Sequence, residues 1–216
     1  MPDIQKNAAS RSLIYLTFLC LSLEIVRLSF NDNTKYFFLV WNLFLVWIPF
    51  WLTYLAQKFS SKSKFYTMLI LMVWLLFFPN SPYIITDLLH LKSYSQKIIW
   101  FDSLLIFIFA ATGFLVSLCS LQAAHQIFRA YLGRNKAWVL IVCIAFLSGF
   151  GIYLGRYCRL NSWDLFNEPI WFFGRIMHQF KNPFSYQITL LYGSVILLVY
   201  AIFNDANRKI ASMVND

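Results

Sequence analysis

Charge is scarce in this chain: only 12% of its 216 residues are Asp, Glu, Lys or Arg. Soluble domains carry about a quarter of their residues charged, so an ordinary water-soluble globule is excluded. The seven glycines form no phosphate-cradling loop, and neither a P-loop nor a dinucleotide fingerprint occurs. Also missing are H-E-x-x-H, a haem signature and the G-x-S-x-G elbow. Four cysteines make no C-x-x-C. Cys20, Cys119 and Cys143 fall in or near apolar runs and Cys158 stands apart, so no disulfide is expected. The net charge of +9 is spread between apolar runs with no basic stripe, which argues against nucleic acid as a partner.

What the chain has in quantity is apolar surface: 60% hydrophobic residues, 23 Phe among them, and a mean hydropathy of +0.61. The fold class that follows is all-α, a polytopic membrane helix bundle. Apolar runs place six transmembrane helices at about 13–30, 36–56, 65–78, 98–121, 137–154 and 184–203. The first could pass for a signal peptide, but no small-residue cleavage site follows and Cys20 lacks a lipobox. Residues 1–12 and 204–216 are left as polar tails around one bundle domain at 13–203. The third run is short for a bilayer and calls for residues from Lys62 onward or a shielded place.

Orientation rests on the basic residues. With the N-terminus inside, Lys6, Arg11, Lys58, Lys62, Lys64, Arg129, Arg134, Lys136, Arg208 and Lys209 are cytoplasmic. Arg27, Lys35, Lys92, Lys97, Arg156, Arg159, Arg175 and Lys181 are then outside. The bias predicts both termini in the cytoplasm of a bacterial inner membrane.

One stretch organises the rest, F-P-N-S-P-Y-I-I-T-D-L-L-H-L at 78–91. Pro79 and Pro82 interrupt the third apolar run, and Ser81-Pro82 reads as an N-cap followed by proline at the first helical position. The helix predicted over 82–91, about 15 Å long, is too short to span a bilayer, so it is an interfacial segment. Tyr83, Asp87 and His90 fall on one face of it. At the same depth lie Glu24, Arg27, Asn42, Asn80, Asp102, Arg156 and Arg159, which predicts one polar chamber at the extracytoplasmic end. The longest connection lies on that side. In it Asn161 or Ser162 is placed to cap a helix with Asp164 in its first turn, and 162–180 reads as a second interfacial segment, with Trp171, Phe172 and Phe173 at the headgroups.

Three motifs carry a family resemblance: the 78–91 stretch, W-N-L-F-L-V-W-I-P at 41–49, and L-G-R-Y-C-R-L-N-S-W-D at 154–164. They resemble the uncharacterised bacterial membrane proteins catalogued as domain of unknown function 1361. The resemblance covers the chain from the second helix to the long loop. It implies a multi-pass membrane protein and supplies no activity, substrate or cofactor.

The residues themselves suggest chemistry without naming a reaction. Asp87, His90 and Asp164 are candidates for catalysis, or for holding a divalent metal as two carboxylates and an imidazole. The alternative is a brace, with Asp87 bonded to Arg156 or a helix end. Arg156 and Arg159 match the anionic group of a lipid-linked substrate, with Asn80, Tyr83, Asn161 and Trp163 as further substrate contacts, or else they pair with nearby acids. Glu24 and Arg27 are expected to neutralise each other, with Asn42 and Asp102 as further structural polar groups. The leading expectation is a membrane-embedded hydrolase or transferase acting on a lipid-linked or envelope substrate. The alternatives are a binding or transport protein for a small anion or lipid headgroup, and an accessory subunit.

Overall fold

The computed structural model describes residues 3–30, 36–87 and 99–213, and among them there is no strand. The elements are α1 (Asp3–Phe30), α2 (Phe37–Phe59), α3 (Lys64–Phe77), α4 (Asn80–Tyr83), α5 (Ile99–Leu132), α6 (Arg134–Tyr157), α7 (Asp164–Asn167), α8 (Pro169–Gln179) and α9 (Pro183–Met213). Six stretches are long and apolar enough to cross a membrane: Ser10–Ser29, Phe37–Phe59, Lys64–Asp87, Ile99–Leu132, Arg134–Tyr157 and Pro183–Met213. The protein is a multi-pass bundle of membrane helices.

Several helices outrun the apolar runs that announced them. α1 already begins at Asp3, α5 continues past 121 to Leu132, and α9 runs through 204–213. Hydropathy marks where a chain leaves the bilayer, whereas a helix continues until something stops it. For α5 the stop is Gly133, in the left-handed region at φ 78°. No glycine or proline interrupts α9 after Gly193, and Lys209 pairs with Asp205 one turn back at 3.2 Å.

α5 runs through the centre, with buried residues from Phe101 to Phe128. On one side it packs with α1 and α2 around Leu39, Val46 and Phe109. On the other it packs with α3, α6 and α9 around Trp74, Ile141 and Tyr200. Polar atoms in these layers find partners: Trp74 Nε1–H donates to Ser120 Oγ at 2.9 Å, and Tyr200 OH meets His125 Nδ1 at 2.6 Å. The outer surface exposes Phe18, Trp51, Phe65, Val139 and Leu198, as a lipid-facing surface requires.

The third span is extended at its far end, not from Lys62. α3 starts at a Ser63 cap and covers Lys64–Phe77, after which α4 and a 3-10 turn over 84–87 carry the chain further in. The helix expected over 82–91 with Ser81 as its cap is therefore displaced. α4 begins two residues earlier behind Pro79 and ends at Tyr83, and residues 88–98 lie outside the described ones. Pro82 is tolerated in it, because within the first turn the donor that proline lacks has no helical acceptor anyway. Ser81 is fully buried and its hydroxyl donates instead to the Val46 carbonyl of α2 at 3.3 Å.

Glycines in the neighbouring helices receive this broken segment. A Cβ on Gly151 of α6 would lie 2.6 Å from Pro79 Cβ, and one on Gly155 would lie 3.2 Å from the Tyr83 ring. A Cβ on Gly113 of α5 would lie 2.7 Å from Ile84 Cγ2. The proline ring has no rotamer to yield, so Gly151→Ala is expected to cost about 1–3 kcal/mol by overpacking. Its Tm in detergent should fall, whereas Gly174→Ala, where a Cβ meets nothing within 4 Å, should leave Tm unchanged or slightly raised.

Candidate functional site

A cavity of about 900 Å³ lies between α2–α3 on one side and α6–α9 on the other. Met72, Leu75 and Leu76 form one apolar wall, and Phe146, Leu147 and Phe150 form the other. The walls run out to the lipid-facing surface at Met72 and Leu147, which are 70% and 48% exposed. Phe172 and Ile176 of α8 close the loop-rich end. α8 is held there through Tyr153 of α6, whose hydroxyl donates to Gln179 Oε1 at 2.7 Å and accepts from Asn182 Nδ2 at 2.9 Å.

At that end the lining turns polar, with Asn42, Asn80, Tyr83, Asn161, Ser162 and Trp163. Asn80 Nδ2 donates to Ser162 Oγ at 3.2 Å, and Ser162 Oγ–H donates to the Leu76 carbonyl at 2.9 Å. This carbonyl lies at the end of α3, where helical acceptors run out of intrahelical donors. The interaction ties the 160–163 loop to the helix break, and Ser162 serves it rather than capping α7. Trp163 meets Trp41 of α2 edge-on, with ring centres 6.3 Å apart.

Asp87 does not line the cavity but stands directly behind it. It is 1% exposed, its Oδ2 accepts from Asn42 Nδ2 at 2.7 Å, and the Arg156 charge acts on it. Asp164 lies in the adjoining turn, where Oδ2 accepts the Asn161 backbone N–H at 2.7 Å. His90 lies outside the described residues, and among those described no three His, Cys, Asp or Glu side chains are grouped to hold a metal. Arg159 is exposed, outside the lining, and in the left-handed region at φ 54°, a position that glycine usually fills at a helix end.

The single chamber expected from shared depth is divided. Asn42 and Asn80 face the cavity, while Glu24, Arg27 and Asp102 gather between α1 and α5. Arg27 pairs with Asp102 rather than with Glu24: Nε donates to Oδ1 at 2.5 Å, with both side chains buried. Tyr36 completes the cluster. Its OH donates to Asp102 Oδ2 at 3.0 Å while the Arg27 guanidinium lies 5.3 Å from its ring centre. Neither carboxylate oxygen of Glu24, 3% exposed, has a hydrogen-bond partner. An i, i+3 spacing in sequence is weak against a long-range partner of better geometry, and nothing local pointed to Tyr36. Thr189 of α9, whose buried Oγ1 is unpartnered in the cavity lining, was equally invisible among apolar neighbours.

These contacts predict opposite outcomes for the two acids of the α1–α5 cluster. Asp102→Ala strands a buried guanidinium and should cost about 3–5 kcal/mol. Glu24→Gln removes a buried carboxylate that makes no hydrogen bond, so its Tm in detergent should match or exceed that of the unmodified protein.

No curated protein and no solved structure matches the chain. A family model, described as a protein of unknown function (DUF1361), matches residues 41–199 and so spans the helix break, the cavity and its closing loop. The chain belongs to that family, DUF1361.

Proposed function

We propose that the protein holds a membrane amphiphile, a lipid or lipid-linked molecule, in the cavity between α3 and α6. The observation that carries this is the polarity gradient of one continuous space: apolar walls open towards lipid, and amide, hydroxyl and indole groups at the closed end. An acyl chain exchanges lipid neighbours for Met72, Leu75 and Leu147 at little cost, so the closed end decides what is bound. The volume of about 900 Å³ is at the upper end of small-molecule sites, enough for a headgroup and part of a chain.

The basic residues at the α2–α3 and α5–α6 turns and near both termini support a topology with both termini cytoplasmic. The polar, closed end of the cavity then lies towards the outer face of a bacterial inner membrane. A hydrolase or transferase acting on the same amphiphile is the second reading. It is favoured by Asp87, a buried carboxylate one hydrogen bond behind the cavity wall. In that reading Asp87, His90 and Asp164 carry the chemistry.

Filling the cavity tests the binding reading. Leu75→Trp and Leu147→Trp, on opposite walls, should each reduce lipid co-purifying with the protein by about tenfold in native mass spectrometry, equivalent to roughly 1.4 kcal/mol. Leu190→Trp, on the lipid-facing side of α9, should leave it unchanged. Equal lipid content in all three would remove the cavity as the binding site.

A further inference from the structure

We infer that the headgroup this cavity selects is uncharged and rich in hydroxyls: a sugar or similar polyol carried directly on an apolar tail. The inference rests on the amphiphile-binding reading and adds the class of molecule bound.

Among the described residues, no Lys, Arg, His, Asp or Glu lines the cavity. A phosphate buried there would lose its water without gaining a guanidinium or ammonium partner from the described lining. Arg156 is not in the lining and acts on Asp87, while Arg159 lies exposed outside it. A helix N-terminus is the other usual anion site, and the first turn of α9 does reach the cavity. Its leading amides are already taken: Phe184 N–H donates to Asn182 Oδ1 at 3.0 Å and Ser185 N–H to the Asn182 carbonyl at 3.0 Å.

The polarity that is left is neutral and mixed, with indole, amide and phenol groups beside two oriented acceptors. A carboxylate only accepts, so Asp87 fixes the Asn42 amide with its nitrogen turned away and Oδ1 left for a ligand. Asn80 is fixed in the same sense, because the Ser162 hydroxyl spends its proton on the Leu76 carbonyl and must accept from Asn80 Nδ2. Two amide oxygens therefore await donors, and the Thr189 hydroxyl, without a partner, can give or take. Hydroxyls supply such donors. An ammonium does too, but among the described residues no carboxylate lines the cavity to match its charge, and in zwitterionic lipids it brings a phosphate with it.

Trp41 and Trp163 complete the match. The C–H face of a sugar ring is weakly positive and apolar, and it packs on the negative face of an indole. A hydroxyl-rich ring lying against one of these indoles brings its hydroxyls to the two amide oxygens.

The test is competition on the full chain in nanodiscs, with monogalactosyl dioleoylglycerol, dioleoylphosphatidylglycerol and dioleoylphosphatidylcholine at equal mole fraction. Bound lipid is read by native mass spectrometry. The galactolipid should be retained about tenfold over either phospholipid, and Asn80→Ala and Trp163→Ala should each abolish that preference with Tm little changed. Phospholipid retained as well as or better than galactolipid, and displaced by Leu147→Trp, would overturn the headgroup assignment while leaving amphiphile binding in place. Retention of all three lipids that Leu147→Trp does not alter would remove both. Should Asn80→Ala lower Tm, the preference in the Trp163→Ala protein decides alone.

Discussion

A chain that leaves the α-helix inside an apolar layer strands peptide groups where no water can reach them, and much of this bundle is arranged to accept such a departure. Between Phe78 and Asp87 the third span passes through a single α-turn and a 3-10 turn. Its polar atoms are met from outside: the Ser81 hydroxyl bonds α2, and Ser162 reaches the Leu76 carbonyl from the long loop. Its bulk is met by absence, since Gly113, Gly151 and Gly155 each leave out the side chain that would collide with Ile84, Pro79 or Tyr83. Small residues that admit close approach are a common device between membrane helices. Here they admit a wedge of non-helical chain.

The charged residues follow the same economy of burial. Arg27 and Asp102, 75 residues apart, join the first helix to the central one through an ion pair with Tyr36 against both partners. Such a pair is costly to desolvate and far costlier to break, so it fixes how α1 sits on α5 more than it adds net stability. Glu24 is the exception. Its carboxylate lies in the field of the Arg27 charge without a hydrogen bond.

Hydropathy and helix breakers made the bundle legible in sequence, because in a membrane both are nearly obligatory. The six spans and the break at Pro79–Pro82 follow directly. The helix ends did not, since apolar runs end at the bilayer while α5 and α9 run on into water. Asn80, Tyr83, Asn161 and Trp163, expected as substrate contacts, share one cavity lining because they flank the break and the loop that covers it. The depth argument that grouped Asn42 and Asn80 with Glu24 and Asp102 had no information about which helix neighbours which. Two groups at one depth can stand on different sides of α2, and only packing separates them. The apolar walls were unreadable for a related reason, since Met72 and Leu147 look in sequence like any lipid-facing residue.

The helix break and the cavity are one feature seen from two sides. An unbroken third helix would have carried its polar groups around its circumference and satisfied its own carbonyls. Breaking it at Pro79 leaves the Leu76 carbonyl to Ser162, brings the 160–163 loop across the gap, and sets Asn80 where its nitrogen is occupied and its oxygen is not. From α2, Asn42 arrives in the same state because Asp87, carried inward by the 3-10 turn, takes its nitrogen. The interactions that make a non-helical segment tolerable at this depth are thus the ones that leave acceptors facing an otherwise apolar groove. Irregular backbone persists within membranes where it is buried in protein or borders a cavity, and here it does both. Restoring the helix, by replacing Pro79 and Pro82 together, would remove the non-helical segment and the polar end of the groove in one step.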